Sequence, residues 1–271
     1  MTVLTRAARQ PGGVPSTEPG GADPPGTVRL DDLSKVYGDA SSAVHALDRL
    51  TLHVDPGRFV CVLGASGCGK STLLSLIAGL DQPSGGHLSV GGRASLLFQE
   101  AALFPWLTAA RNIELALRLD GMPRAPRRAR ALELLELVHL RDFADQRPHE
   151  LSGGMRQRVA LARALGQRTD VLLMDEPFGA LDAMTRDTLH DEVERIWRET
   201  GVSILFVTHN VREAVRLGDR VVLLSSRPGR VIAEFPVPIE RPRRIDSTEV
   251  AALAATITDQ LREEVIRHGE H

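Results

Sequence analysis

The stretch FVCVLGASGCGKSTLLSLIAGL, residues 59–80, constrains the fold more than any other part of the chain. It opens on an apolar run of the kind a strand carries when both faces of its sheet are covered. A glycine-rich turn follows, and then an apolar stretch of helical length. The turn fits G-x-x-x-x-G-K-[ST] and sits between strand and helix, the context that gives this motif its meaning. Gly64, Gly67 and Gly69 allow dihedrals that a Cβ would penalise, so successive N–H groups turn inward. Phosphate oxygens meet those groups and the positive end of a helix beginning near Lys70. Gly64, Ala65, Ser66, Gly67, Cys68, Gly69, Lys70, Ser71 and Thr72 are therefore the expected nucleotide cradle. Lys70 is expected on the β and γ phosphates and the Ser71 hydroxyl on Mg²⁺.

Further apolar runs, VLLMDEP at 171–177, SILFVTH at 203–209 and RVVLLS at 220–225, alternate with helical character at 185–200. Alternation of this kind predicts an α/β fold with a mainly parallel sheet. Upstream, 28–36 and 46–54 alternate as half-buried strands do. Residues 100–165 carry helical signals, such as ARALELLELVHL at 129–140, and few strand signals. They read as a helical insertion. Ten of the sixteen residues 11–26 are Pro or Gly, a composition that builds no core, so 1–26 is expected to be a disordered tail. STEVAALAATITDQLREEVIRH at 247–268 reads as an amphipathic helix with no evident dock.

VLLMDEP supplies two carboxylates after a buried strand. Asp175, at the strand end, is the expected Mg²⁺ ligand, mostly through water. Glu176 points elsewhere and is the expected base that polarises an attacking water. Cys68 lies beside Lys70 and a helix N-terminus, and both lower a thiol pKa. An alkylatable thiol protected by MgATP stands against a small side chain at a variable position. Cys61 reads as a core filler. With only two cysteines and no His/Cys cluster near them, neither a zinc site nor a disulfide framework is expected.

A net charge of −2 gives no basis for nucleic-acid binding. No apolar run has the eighteen or so residues of a membrane span, and no apolar leader is seen at the N-terminus. The expected location is the cytoplasm. The cluster Arg124, Arg127, Arg128 and Arg130 reads as a solvated helix start or, alternatively, as a contact for anionic lipid headgroups.

One feature is left over. In LSGGMRQRVALARAL, 151–165, a Ser-Gly-Gly turn opens another helix and resembles a second anion-holding device. Its arginines Arg156, Arg158 and Arg163 could orient the turn, meet a partner or face solvent.

GASGCGKST, Gln99 in LLFQE, LSGGM, LLMDEP, ALD at 180–182 and VTH at 207–209 occur in that order. The chain resembles the ATP-binding subunit of an ABC transporter across about residues 28–240. The resemblance implies a P-loop NTPase core with an N-terminal antiparallel β subdomain and an inserted helical subdomain, spanning 27–240, followed by a C-terminal helical tail at 241–271. It implies that Tyr37 stacks on adenine and that Gln99 senses Mg²⁺ and the attacking water. It makes His209 the switch histidine at the γ-phosphate, where the residues alone give only a strand-end histidine. Asp182 would contact the opposite subunit's phosphate loop. Ser152, Gly153 and Gly154 would cover the γ-phosphate held by the other subunit, so two chains would sandwich two ATP molecules. Met155 departs from the Gln common at its position.

ALFPWLT at 102–108, LSSRPGRV at 224–231 and IERPRR at 239–244 resemble importers of nitrate, sulfonates, taurine and bicarbonate. Importers of pyrimidine vitamin precursors share these features. The implied assembly adds membrane permease subunits, an external solute-binding protein and a second ATPase chain, with this subunit on the inner face of the membrane. Leu103, Phe104 and Trp106, with Pro105, form a bulky apolar loop beside Gln99. Such a loop marks a partner site for a permease helix or packs into the protein's own helices. An export or lipid-extraction ATPase is a further alternative. A soluble ATPase acting on DNA or ribosomes fits less well, because 100–150 is too short for a long coiled coil and the chain carries one ATPase unit.

Overall fold

The computed structural model describes residues 23–39, 42–179 and 181–269. Two sheets organise it. The first joins β2 (Val44–Val54), β1 (Val28–Tyr37) and β4 (Gly85–Val90) in that order, all antiparallel. The second runs β5 (Ala94–Leu97), β6 (Val171–Asp175), β7 (Ser203–Val207), β3 (Phe59–Leu63), β8 (Arg220–Leu224) and β9 (Val231–Pro236). Its strands are parallel except β9, which returns antiparallel to β8.

Strand periodicity accounts for the layering. Every residue of β3 is buried, and alternate side chains point to opposite faces. Val60 and Val62 join a core with Leu73, Leu74 and Ile77 of α1 (Lys70–Ile77) and with the leucines of β1 and β2. Phe59, Cys61 and Leu63 face the opposite core. That core is closed by α5 (Ala183–Thr200) and α6 (Val211–Leu217), and by the helical segment α2 (Ala109–Leu119), α3 (Arg124–Leu137) and α4 (Gly153–Leu165). A sheet covered on both sides explains why its central strands read as continuous apolar runs.

Three strands lie outside the sequence reading. β4 and β9 are at most half-buried and β5 has four residues, so none carries a strong apolar signature. The terminal helix α7 (Thr248–Gly269) packs against α6, burying Val250, Ala254 and Ile257 on one face. Most of the expected tail, 1–22, lies outside the described residues. Gly26, which the composition assigned to that tail, donates its N–H to Gly91 O at 2.7 Å.

The arginine cluster of α3 is largely spent within the fold. Arg128 pairs with Asp145 and Glu114, Arg130 with Glu133, and Arg127 donates to Met122 O. These contacts agree with a solvated helix start.

Candidate functional site

The order β6-β7-β3 brings three strand ends side by side. Ligands in open α/β sheets bind beyond the carboxyl ends of such strands. The glycine loop leaves β3, Asp175 ends β6, and His209 follows β7 two residues past Val207. A cleft of about 330 Å³ opens there. The glycine-loop residues Ser66, Gly67, Gly69, Lys70, Ser71 and Thr72 line it, together with Gln99, Asp175 and Glu176, with Tyr37, Val44 and Ala46, and with Arg227.

Helix α1 starts without a side-chain cap, behind Gly69 at φ 101°. That is left-handed backbone, which glycine adopts at little cost. A Cβ there would also lie 2.7 Å from Ala46 O, so position 69 is restricted by sterics as well as by conformation. The Lys70 ammonium donates to Gly64 O (2.9 Å) and Ala65 O (3.0 Å), and stands 3.9 Å from Glu176 Oε1.

Glu176 sits at φ 44° with its N–H on Val207 O. Left-handed backbone costs a non-glycine residue about 1–2 kcal/mol, and strain of this kind clusters at functional sites. The turn brings Glu176 Oε2 to 2.8 Å from His209 Nδ1. A carboxylate only accepts, so Nδ1 carries the proton and Nε2 is directed elsewhere.

Oxygen donors on Ser71, Gln99 and Asp175 suit Mg²⁺. Among the described residues no group of three His, Cys, Asp or Glu side chains forms a metal cage.

Several supporting residues carry no motif of their own. Lys35 Nζ lies 4.7 Å from the Tyr37 ring centroid, and both Lys35 and the Tyr37 hydroxyl donate to Asp81. The ring is therefore held in place with a cation against it. Gln157, almost fully buried, sends its side-chain N–H groups to Phe98 O, Gln99 O and Pro177 O. It bolts the Gln99 segment to the chain just past Glu176. Thr208 donates to Glu213, which accepts from His190 Nε2 at 2.6 Å, while His190 Nδ1 accepts from Arg216 at 2.8 Å. A neutral imidazole with its proton on Nε2 satisfies that buried chain behind His209.

Of the two readings of Cys68, the structure favours the small side chain. Its side chain turns under the loop into the apolar core and is 1% exposed. Burial raises its pKa, outweighing the lowering influence of Lys70.

The Ser152-Gly153-Gly154 turn does not line the cleft. Ser152 caps α4, accepting from Met155 N at 3.2 Å. A Cβ on Gly154 would fall 2.4 Å from Thr185 Cγ2, so α4 meets α5 with no room for a Cβ beside the Thr185 methyl. Arg156 donates to Leu151 O and fixes the turn, while Arg163 holds Ala101 O and Ala102 O. Asp182 likewise caps its own helix, α5. The hydroxyl and amide of Thr185 lower its pKa.

Beyond Gln99, the buried Asn112 side chain holds the backbone of Phe104 and accepts from its N–H at 2.8 Å. The loop so fixed presents Phe104 and Trp106, ring centroids 5.5 Å apart, to the outside, with Trp106 66% exposed. Leu103 is half-buried against the core. Beside the aromatic pair runs a groove of about 230 Å³ lined by Phe98, Leu115, Leu119 and Ala160.

The ABC transporter family profile matches residues 47–179. The taurine import ATP-binding protein TauB of Rhizobium johnstonii is 46% identical over 231 residues, 82% of this chain and 88% of that protein. The nitrate import ATP-binding protein NrtD of Synechocystis sp. is 45% identical over 218 residues, 78% and 82% of the two chains. Among solved structures, a dimeric post-hydrolysis state of the ATP-binding cassette MJ0796 with ADP and Pi superposes with a TM-score of 0.70. It is 33% identical and covers 79% of this chain and all of that one.

Proposed function

Because this chain belongs to the ABC transporter family of ATP-binding proteins, we propose that it is the ATP-hydrolysing subunit of an importer of a small anion such as nitrate, a sulfonate, taurine or bicarbonate. ATP lies along the cleft with its triphosphate on the glycine loop and its adenine toward Tyr37. Lys70 trades the carbonyls of Gly64 and Ala65 for phosphate oxygens. Bound Mg²⁺ supplies charge neutralisation at the phosphates, with Ser71, Gln99 and Asp175 as the residues that would hold it. Glu176 takes a proton from the attacking water, and a general base of this kind is worth about 10²–10⁴ in rate. His209, oriented by Glu176, presents Nε2 toward the γ-phosphate.

The observation that carries this reading is a division of labour. Loop and carboxylates share one cleft and His209 is tied to it through Glu176, while the Ser152 turn caps a helix outside it. A turn of that kind serves the ATP of a second chain, which makes a two-fold dimer the working unit. Asp182 belongs to the same opposed face. To act as a switch from 1:99 to 99:1, ATP must favour the closed dimer by about 5.5 kcal/mol. The fixed, exposed pair Phe104 and Trp106, with its adjoining apolar groove, supports docking of a permease helix there, with Leu103 beneath. That docking puts the subunit on the cytoplasmic face of the membrane. No helix of the described residues is long and apolar enough to cross it.

The test is reconstitution with the permease and external binding protein that co-purify with this chain. Loading the binding protein with taurine, alkyl sulfonate, nitrate or bicarbonate should stimulate ATP hydrolysis for one of these anions. Stimulation by none of them, with a vitamin precursor active instead, would refute the anion assignment.

A further inference from the structure

The cleft has a second cation that no motif predicts. The segment Ser225–Arg230, between β8 and β9, lies directly on the glycine loop. Gly229 donates to Ala46 O, and a Cβ at Gly229 would fall 2.3 Å from Cys68 O. The segment is closed on itself, because the Ser225 hydroxyl donates to Pro228 O and accepts from Arg230 N. It is also tied down from outside, since Ser226 N donates to the nearly buried Glu264 of α7. From this rigid platform Arg227 reaches the cleft rim. Its Nε donates to Gly67 O at 3.2 Å, and its Nη2 lies 3.6 Å from where a Gly67 Cβ would be.

The pairing with Lys70 is informative. Both cations that line the cleft rest on carbonyls of the same loop, Lys70 on Gly64 and Ala65, Arg227 on Gly67. The cleft also carries two carboxylates, Asp175 and Glu176. A triphosphate stays anionic with one divalent cation bound, so the site gains from a second fixed positive charge. A guanidinium has five N–H donors in a rigid fork, and a single bond to Gly67 leaves donors to spare.

We propose that Arg227 is a nucleotide-binding residue, a guanidinium held on the rim of the cleft that donates to phosphate oxygens alongside Lys70. This rests on the cleft being the ATP site. The platform costs the nucleotide little, because its loop is ordered before ligand arrives. Arg227 is also coupled to α7 through Ser226 and Glu264, which gives the terminal helix a direct bearing on the phosphate loop.

The experiment is calorimetric titration of MgATP and MgADP into the wild type, Arg227→Gln, Arg227→Lys and Lys70→Ala at one ionic strength. Glutamine keeps a donor for Gly67 O and drops the charge, whereas lysine keeps the charge. Losing a charge-assisted hydrogen bond of this kind weakens binding about tenfold. Arg227→Gln should show that loss for both nucleotides, and Arg227→Lys should recover most of it, at unchanged thermal stability. Wild-type affinity in Arg227→Gln, with Lys70→Ala impaired, overturns the role of Arg227 and leaves the cleft intact. Equal loss in Arg227→Lys and Arg227→Gln, accompanied by a lower melting temperature, overturns it in favour of a loop clamp. A wild type that binds neither nucleotide overturns the cleft reading itself.

Discussion

Gln157→Leu probes the link between the Gln99 segment and the chain at Glu176, the proposed catalytic carboxylate. The Gln157 side chain is 4% exposed, and its two N–H protons serve three carbonyls, at 3.2 Å (Phe98), 3.0 Å (Gln99) and 2.6 Å (Pro177). Two protons limit the loss to about two good hydrogen bonds, at about 1–3 kcal/mol for each buried acceptor left unsatisfied. Leucine is similar in size and returns about 1 kcal/mol through its better transfer from water. The net cost is therefore about 1–5 kcal/mol, and in a domain of this length each kcal/mol lowers the melting temperature by about 2–4 °C. Gln157 bonds no residue of the glycine loop, so MgATP affinity should stay within about threefold, while turnover falls at least about tenfold as Gln99 and Glu176 lose their common register. Thermal unfolding, equilibrium ATP binding and steady-state hydrolysis are the three readouts. Gln157→Glu, which sets a carboxylate against the same three carbonyls, should be worse in stability and turnover. Wild-type stability and turnover in Gln157→Leu would refute the reasoning. So would a loss of ATP affinity matching the loss of turnover.

Other consequences are equally direct. Cys68 should resist iodoacetamide in the folded protein with or without MgATP and react only on unfolding; rapid labelling of the folded chain would contradict its burial. Gly154→Ala should destabilise by about 1–3 kcal/mol through overpacking, and Thr185→Ser, which removes the clashing methyl, should restore most of that in urea unfolding. Failure of this rescue would place the strain elsewhere. Trp106→Ala should abolish anion-coupled transport in vesicles at unchanged ATP affinity, and full transport would remove the permease from this loop.

The chemistry of the site was legible wherever it rested on residue type at fixed spacing. GASGCGKST needs its glycines for backbone geometry, and VLLMDEP ends a strand whose burial makes it apolar throughout, so both announce themselves. Contacts made by position alone were silent. Gln157 is an ordinary glutamine within a helix, and only the fold brings Phe98 and Pro177 to it. Arg227 stands in SSRPGR as one arginine of two, and its nearness to Gly67 depends on β8 lying next to β3. Cys68 stayed open between two readings because adjacency to Lys70 in the chain says nothing about which side of the loop a side chain takes. The strands β4, β5 and β9 lie at sheet edges, and β4 and β9 bury no residue fully while β5 is only four residues long, so none shows the strong apolar pattern that revealed β1 and β2.

The central claim is that the Ser152 turn completes the ATP site of a second chain. Glu176→Gln should slow hydrolysis, so that any closed dimer accumulates. With MgATP this variant should run as a dimer by light scattering and retain two ATP molecules per pair. Adding Ser152→Arg in the same chain should return it to a monomer that still binds one ATP with unchanged affinity. A dimer that survives Ser152→Arg, or a monomer that loses ATP binding along with dimerisation, would contradict the claim.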